Sequence, residues 1–215
     1  YTASTHMSNH LSFLIYHYGL IFEKDYWPKC ITIGGLLIKD GEKISKSKGN
    51  GIPLFRIKDI YGADLYRLYV GVVANYDIEM DFKDTEIYQL EKKFDKWQTL
   101  IEESIEKPLK KYEEFSNINK WLISKFYSRT KNYFNLMDDF RIREAYVSIL
   151  YEFLNDINYH ERRTSYLETL EVIRFIAKDY LVLMTPVVPH TCEELNEKLG
   201  NKNEISLTAF ETKVD

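Results

Sequence analysis

Cysteine is scarce in this sequence, and long apolar runs are absent. The 215 residues include only Cys30 and Cys192, far apart and without a Cys-x-x-Cys pair, so neither a zinc site nor a disulfide framework is indicated. We therefore expect no bound metal and a reducing, cytoplasmic setting. No uninterrupted apolar run approaches the ~20 residues of a membrane span, and no secretory leader opens the sequence. A membrane partner is not expected.

Glycine and proline are also few, and positive charge is in deficit. Nine glycines, five prolines, 45% hydrophobic and 29% charged residues are typical of a folded globular protein. The formal net charge of −4 argues against non-specific binding of nucleic acid by the whole chain. Local clusters of charge matter more than this sum.

The first third of the chain predicts mixed structure. Residues 8–22 predict a buried helix that starts at Ser8 and ends near Gly19. The run 30–38 predicts a buried strand that turns into another at its glycine pair, and "KDGEK" (39–43) predicts a hairpin turn. Pro53 can begin a helix that Gly62 interrupts.

The remainder of the chain predicts helices. Apolar residues recur at steps of three and four over 90–105, 118–137, 142–157 and 170–184. Ser116 or Asn117 is a suitable N-cap for the second of these helices. A shorter helix over 190–199 ends at Gly200, where a capping glycine belongs. Long helices joined by short links predict an antiparallel bundle.

The sequence "KISKSKGN" (43–50) combines lysines, serines and glycines in one loop. A Lys-rich octamer is usually a solvated loop or a basic sorting patch. Here hydroxyl and ammonium donors alternate, the glycines permit close backbone approach, and the loop follows a strand, where ligands lie in open α/β sheets. Dense mobile donors of this kind suit a polyphosphate whose charge shifts during reaction.

The same octamer resembles the Lys-Met-Ser-Lys-Ser signature of class I aminoacyl-tRNA synthetases, with Ile44 in the methionine position. The segment 8–35, which contains Asn-His-Leu-x-Phe and Trp-Pro, is most similar to leucyl-tRNA synthetases of the archaeal and eukaryotic cytosolic type. Four further segments resemble this subclass in the same order along the chain: "YGADLYRLY" (61–69), "YDIEMDFKDTEI" (76–87), residues 119–156 and "YLVLMTPVVPHTCEEL" (180–195).

The resemblance implies a fold and a division into domains. The expected fold is mainly α, with a partial Rossmann-type α/β segment that carries the lysine loop, followed by an antiparallel helix bundle of anticodon-binding-domain type. Residues 1–75 would be the C-terminal part of the catalytic domain, and 76–215 the tRNA-binding bundle.

The resemblance also implies an activity, in which leucine reacts with ATP, supplied with Mg²⁺, and is then transferred to the 3′ end of tRNA(Leu). Lys46 would stabilise the phosphates as pyrophosphate leaves, and Lys43 would assist. The other residues expected to contact ATP are Ser45, Ser47, Ile33, Gly34 and Gly35.

Contacts to the tRNA backbone are expected from basic residues of the bundle. Solvated helix faces are the alternative explanation for these residues. The residues expected to bind the tRNA are Lys125, Arg129, Arg141 and Arg143.

Three alternatives stay open. The segments could belong to an isoleucyl- or valyl-tRNA synthetase, to a non-catalytic tRNA-binding module, or to a structural helical protein in which the lysine loop is incidental. No His-x-Gly-His segment, the other half of the family's ATP site, occurs in these residues. The chain is therefore expected to be a fragment, inactive without the remainder of the synthetase.

Overall fold

Two compact units make up the chain in a computed structural model, which describes residues 2–45, 47–51, 53–75 and 79–210. The first unit contains Tyr1–Ile52 and Val73–Lys83, and the second contains Pro53–Val72 and Asp84–Asp215. The chain thus enters the second unit, returns to the first and leaves it again. The functional division expected between residues 75 and 76 stays a prediction.

The strands lie in the first unit and form two small sheets. In one sheet β1 and β2 pair in parallel, and in the other β3 lies between antiparallel β4 and parallel β5. Mainly helical structure with a small amount of sheet is therefore confirmed. The strands are β1 (Thr2–Ala3), β2 (Ile33–Gly34), β3 (Leu37–Lys39), β4 (Glu42–Lys43) and β5 (Met80–Phe82).

The β3–β4 connection is a two-residue hairpin turn, as the sequence predicts. Asp40 and Gly41 both have positive φ, at 52° and 76°, the conformation that matches the twist of a two-residue hairpin. The Gly41 amide donates to Oδ1 of Asp81, just beyond Met80 in β5, at 3.1 Å. This hydrogen bond ties the turn to the neighbouring strand.

Helix α1, His10–Ile21, is confirmed, but its predicted burial is wrong. Asn9 rather than Ser8 is the N-cap, with its side-chain oxygen accepting from the His10 amide. None of the helix residues is buried, and Phe13 is 66% exposed. Apolar residues on every face of a helix predict burial, but nothing in the described residues covers this one.

Eight further helices in the described residues make up most of the second unit. Gly62, with φ +75°, separates the first two of them as predicted, and the Ser116 hydroxyl caps the fourth. A π-helical stretch, Val147–Glu152, joins the fifth and sixth. They are α2 (Leu54–Ile60), α3 (Ala63–Val73), α4 (Asp84–Ser104), α5 (Asn117–Asp138), α6 (Ile142–Tyr146), α7 (Phe153–Glu161), α8 (Tyr166–Met184) and α9 (Pro189–Lys198).

Four aromatic side chains hold α4, α5, α7 and α8 together. The Tyr180 ring lies 5.8 Å from Trp97, 5.4 Å from Phe126 and 5.5 Å from Phe153, measured between ring centroids. Burial raises the pKa of the Tyr180 hydroxyl, which donates to the Ile149 carbonyl at 2.8 Å. The buried hydroxyl of Tyr180 is thus hydrogen-bonded, as buried polar groups usually are. No helix in the described residues is long and apolar enough to cross a bilayer.

A buried histidine joins α5, α7 and α8. The His160 ring is fully buried, with Nε2 2.9 Å from Oδ1 of Asn119 and Nδ1 2.8 Å from the Thr169 hydroxyl. The Asn119 amide nitrogen in turn donates to Glu168 at 3.1 Å. Because Asn119 presents its oxygen, Nε2 carries the ring proton of the neutral histidine.

Burial lowers the pKa of His160 below its usual value of about 6.5. The unfolded chain then takes up a proton that the folded chain does not, so we expect the free energy of unfolding to fall as the pH drops below about 6.5. Above that pH the ring is neutral in both states and its contribution is complete. Urea unfolding between pH 5 and 7.5, followed by circular dichroism of the helices, measures this dependence. The same pH slope in His160→Gln and in the wild type would contradict the assignment.

Candidate functional site

The lysine loop follows β4 in the first unit. The sequence assigned to it runs from Lys43 to Asn50, and glycines stand at 49 and 51. Lys46, the residue expected to carry the main catalytic role, lies outside the described residues. The other residues of the loop show which hydrogen bonds hold its backbone.

Asn50 holds the two ends of the loop together. Its Oδ1 accepts from the Ser45 amide at 3.0 Å, and its Nδ2 donates to the Lys43 carbonyl at 3.2 Å. One side chain therefore satisfies a donor and an acceptor at the start of the loop. Sequence reasoning missed this residue, although asparagine after glycine commonly bonds to nearby backbone in a turn.

The two serines of the signature face each other across a tight turn. Ser45 Oγ lies 3.2 Å from Ser47 Oγ, and the Ser45 carbonyl and hydroxyl accept from the Lys48 amide at 3.2 and 3.3 Å. Gly49 follows directly, with a φ of +62° that suits glycine. Ser45 and Ser47 are thus close enough for one phosphate group to contact both.

The described lysines of the loop differ in their pairing. Lys48 Nζ forms an ion pair with Glu42 at 2.9 Å. Lys43 is exposed and, among the residues that the structure describes, has no carboxylate partner. Lys43 therefore presents an uncompensated positive charge, whereas the charge of Lys48 is partly balanced.

Ile33 and Gly34 lie in the other small sheet, and Gly35 follows directly. Gly34 is the buried member of the three, paired with Ala3 of β1. No hydrogen bond in the described part of the first unit joins these residues to the lysine loop. The two groups expected to bind ATP are therefore held by separate sheets.

Asp64, from the "YGADLYRLY" segment, is the second residue of α3, and its carboxylate contacts the start of α9. Its side chain is 9% exposed, and its oxygens contact the Thr191 amide at 2.7 Å and His190 Nδ1 at 2.9 Å. Thr191 is the third residue of the helix, so Asp64 satisfies an amide that has no partner within the helix. A carboxylate at this position also suits the helix dipole.

Arg67 and Tyr61 of the same segment bind other parts of the second unit. The Arg67 guanidinium donates to the carbonyls of Pro186 and Val187 at 2.8 and 3.3 Å. The Tyr61 hydroxyl donates to Asp84 at the start of α4. Two of the segments that carry the family resemblance, 61–69 and 180–195, are therefore in direct contact, and their polar residues hold helices together.

The four basic residues expected to bind tRNA differ in accessibility. Arg129 contacts Asp156 at 2.6 Å and also pairs with Glu152, and its side chain is only 20% exposed. Arg143 Nε donates to the Val72 carbonyl near the end of α3 at 3.2 Å. Lys125, Arg141 and Arg143 are exposed, although Arg141 also contacts Glu144 at 3.3 Å. Arg129 is thus already engaged within the protein, which favours a structural role for it, whereas Arg143 combines one backbone contact with an exposed position.

Two tyrosines of α5 are mostly enclosed. Tyr133 is 3% exposed and donates to the Leu183 carbonyl at 3.0 Å, and the half-buried Tyr127 donates to Asp179 at 2.7 Å. These contacts make both residues part of the protein interior. No group of three His, Cys, Asp or Glu side chains in the described ranges could hold a metal ion, and both cysteines are free.

Replacing Asn50 tests how the loop is held. In Asn50→Ala we expect the Ser45 amide to exchange with deuterium at least about tenfold faster, because two hydrogen bonds worth roughly 1 kcal/mol each are lost. Asn50→Asp keeps an acceptor for that amide and should protect it better than alanine does. Equal exchange rates in Asn50→Ala and the wild type would show that this side chain does not order the loop.

Two families match the chain. The family described as tRNA synthetases class I (M) matches residues 12–93. The family described as the anticodon-binding domain of tRNA ligase matches residues 119–215. The first match contains the lysine loop and the Asp64 segment, and the second contains α5 through α9.

The curated relatives to which the chain is similar are enzymes of one kind. The leucine--tRNA ligase of Staphylothermus marinus is 36% identical over 207 residues, which cover 96% of this chain and 21% of the relative. Those of Thermoplasma volcanium and Methanocaldococcus jannaschii are 35% and 34% identical, over 98% and 94% of this chain and 22% and 21% of theirs. The chain thus spans about a fifth of the length of these relatives.

The fold is similar to that in a crystal structure of the ternary complex of LeuRS (agnB2) from Agrobacterium radiobacter K84 with tRNA and LeuAMS. The TM-score is 0.73 at 17% identity, over 95% of this chain and 28% of that one. The order of the family segments, the two family matches and the identity to leucine--tRNA ligases all agree. The chain belongs to the class I aminoacyl-tRNA synthetases and is of the leucyl-tRNA synthetase type.

Proposed function

We propose that the protein carrying this chain activates leucine with ATP and transfers it to the 3′ end of tRNA(Leu). The observation that carries the proposal is the 34–36% identity to leucine--tRNA ligases over 94–98% of the chain. Within that enzyme this chain supplies the lysine loop and helices that bind the tRNA. The isoleucine and valine enzymes are the alternatives that the amino-acid assay below distinguishes.

The lysine loop acts on the phosphates of ATP. Lys46 stabilises the charge that builds up as pyrophosphate leaves, and the exposed ammonium of Lys43 adds to the same field. Ser45 and Ser47, 3.2 Å apart, donate to phosphate oxygens. Lysine suits this task because a point charge on a flexible stem follows the phosphates as they separate. Mg²⁺ arrives with ATP as part of the substrate.

The backbone of Ile33, Gly34 and Gly35 approaches the adenine ring. The two small sheets belong to a partial Rossmann-type domain that ends near residue 75, and the helices from 76 onward form an antiparallel bundle of anticodon-binding-domain type. The remaining four fifths of the enzyme cover the exposed apolar side chains of α1 and complete the ATP site. The cytoplasmic setting follows from this role in protein synthesis.

The helical unit binds the body of the tRNA through its exposed cations. Lys125, Arg141 and Arg143 are the accessible members of the expected set. Arg129 supports the surface from within, because it joins α5 to α7, and Arg143 also joins α6 to the end of α3. Contacts to phosphates, rather than reading of bases, suit this arrangement.

Charging assays with the full-length protein test the proposal. We expect leucine, and neither isoleucine nor valine, to be attached to its matching tRNA. The chain alone should bind tRNA but attach no amino acid, because one half of the ATP site is absent from it. Binding of tRNA without charging by the full-length protein would instead identify a non-catalytic tRNA-binding module.

A further inference from the structure

Helix α5 carries no acidic residue over 117–137, although acids outnumber bases in the chain by 33 to 29. Its exposed side is therefore neutral or basic from Ser124 to Asn135, and the first acid on it is Asp138 in the last turn. The exposed residues along this side are Ser124, Lys125, Ser128, Lys131, Asn132 and Asn135. Hydroxyl, amide and ammonium groups are the donors that proteins use to contact nucleic-acid backbones.

The positive charge on this side is not cancelled by neighbours. Arg129 forms ion pairs with Asp156 and Glu152 of the adjoining helical segment, and Lys96 Nζ lies 3.8 Å from Oε2 of Glu161. The nearby carboxylates are thus paired with other cations. Lys125 and Lys131, at the two borders of the exposed side, have no carboxylate partner in the part of the chain that the structure describes.

Two aromatic residues lie beside these cations. Trp121 and Tyr159, from α5 and α7, have ring centroids 4.9 Å apart. Each has a cation four residues later, with Lys125 Nζ 5.8 Å from the Trp121 ring and Arg163 Cζ 3.3 Å from the Tyr159 ring. Tyr159 is 43% exposed. Pairs of this kind give bases and guanidinium groups flat surfaces on which to stack.

We propose that Trp121, Lys125, Lys131, Tyr159 and Arg163, here termed the α5 face, form an RNA-binding surface. Lys125 and Lys131 contact two phosphates, and an unstacked base lies against the Trp121, Tyr159 and Arg163 cluster. The identity of the ligand, tRNA, rests on the proposed function. The α5 face adds the part of the protein surface on which that tRNA lies. The α5 face replaces Arg129, which its ion pairs with Asp156 and Glu152 leave as a positioning residue.

Packing alone is the competing explanation for these contacts. Two exposed cation–aromatic pairs would each stabilise their helix, and a protein could retain them for that reason. Packing does not account for the missing acids along α5, because an acidic residue four positions before a lysine would stabilise the helix further. Exclusion of negative charge from one side is explained by a polyanionic partner.

The salt dependence of tRNA binding tests the lysines. The full-length protein with Lys125→Gln and Lys131→Gln should bind its tRNA about tenfold more weakly, and the slope of log K against log salt should decrease by about 2, roughly one per lysine. Lys178→Gln with Lys202→Gln removes the same charge from the surface beside 203–208 and should leave the slope unchanged. Equal slopes in both double variants would overturn the α5 face.

The aromatic residues require a separate variant. Trp121→Leu with Tyr159→Leu should weaken binding about tenfold, because stacking of one base is lost, with no change in the salt slope. Melting temperatures within a few degrees of the wild type would exclude unfolding as the cause. Unchanged affinity would contradict the stacking. Leucine-dependent pyrophosphate exchange by the wild-type protein distinguishes a failure of the proposed function from a failure of the α5 face. Absence of exchange refutes the proposed function. Exchange together with unaltered tRNA binding in both variants refutes the α5 face alone.

Discussion

Lys46→Ala should slow leucine-dependent exchange of pyrophosphate into ATP by about 10²–10³-fold in the full-length enzyme. Removing one donor that acts mainly in the transition state costs about 3–4 kcal/mol of barrier. The loop follows a hairpin whose turn is held by Asp81, and Asn50 fixes its ends. The loss of one ammonium should therefore leave the fold and its stability unaltered.

Lys48→Ala is the matched control for this variant. Lys48 lies two residues further on in the same loop, but Glu42 already balances its charge. We expect its replacement to change the exchange rate by no more than about twofold, since an exposed ion pair contributes at most about 1 kcal/mol. Lys43→Ala should fall between the two. Equal effects of Lys46→Ala and Lys48→Ala would show that the loop contributes only general positive charge.

Asp64→Ala should lower the free energy of unfolding of the second unit by about 3 kcal/mol. The substitution removes a buried carboxylate that accepts from Thr191 and contacts His190, and hydrogen bonds to charged groups contribute about 1.5–3 kcal/mol each. It also leaves the amide of Thr191 without a partner at the start of α9. Urea unfolding followed by circular dichroism of the helices measures the effect.

Two further variants show whether the loss of stability comes from the contact between Asp64 and the start of α9. Asp64→Asn keeps an oxygen for the Thr191 amide and should lose only about 1 kcal/mol. Asp59→Ala removes an exposed acid, paired with Lys58 on the surface of α2, and should change stability by less than about 0.5 kcal/mol. A loss in Asp64→Ala no larger than in Asp59→Ala would show that Asp64 does not hold α9.

Features set by local backbone chemistry were predictable from the sequence. Asp40 and Gly41 form the hairpin turn because both tolerate positive φ. Gly62 separates two helices for the same reason, and Ser116 caps α5 because its hydroxyl accepts a free amide. Helical periods in the second half were also correct. Each of these outcomes depends on residues that are close together in the chain.

Contacts between distant residues were not predictable. Asp64 and Thr191 are 127 positions apart, and no local pattern indicates that a carboxylate on α3 caps α9. Arg129 was expected to contact tRNA because sequence shows its charge but not the carboxylates of Asp156 and Glu152 that surround it. The exposure of α1 has a similar origin, because apolar composition indicates that a helix is covered without indicating which residues cover it.

The most direct test of the account is a panel of amino acids in the pyrophosphate-exchange assay, run on the full-length protein that contains this chain. Leucine should drive exchange, and isoleucine and valine should be at least about 10²-fold less effective, the discrimination that a single pocket achieves. Exchange driven preferentially by isoleucine or valine, or no exchange with any amino acid, would contradict the assignment of this chain to a leucine-activating enzyme.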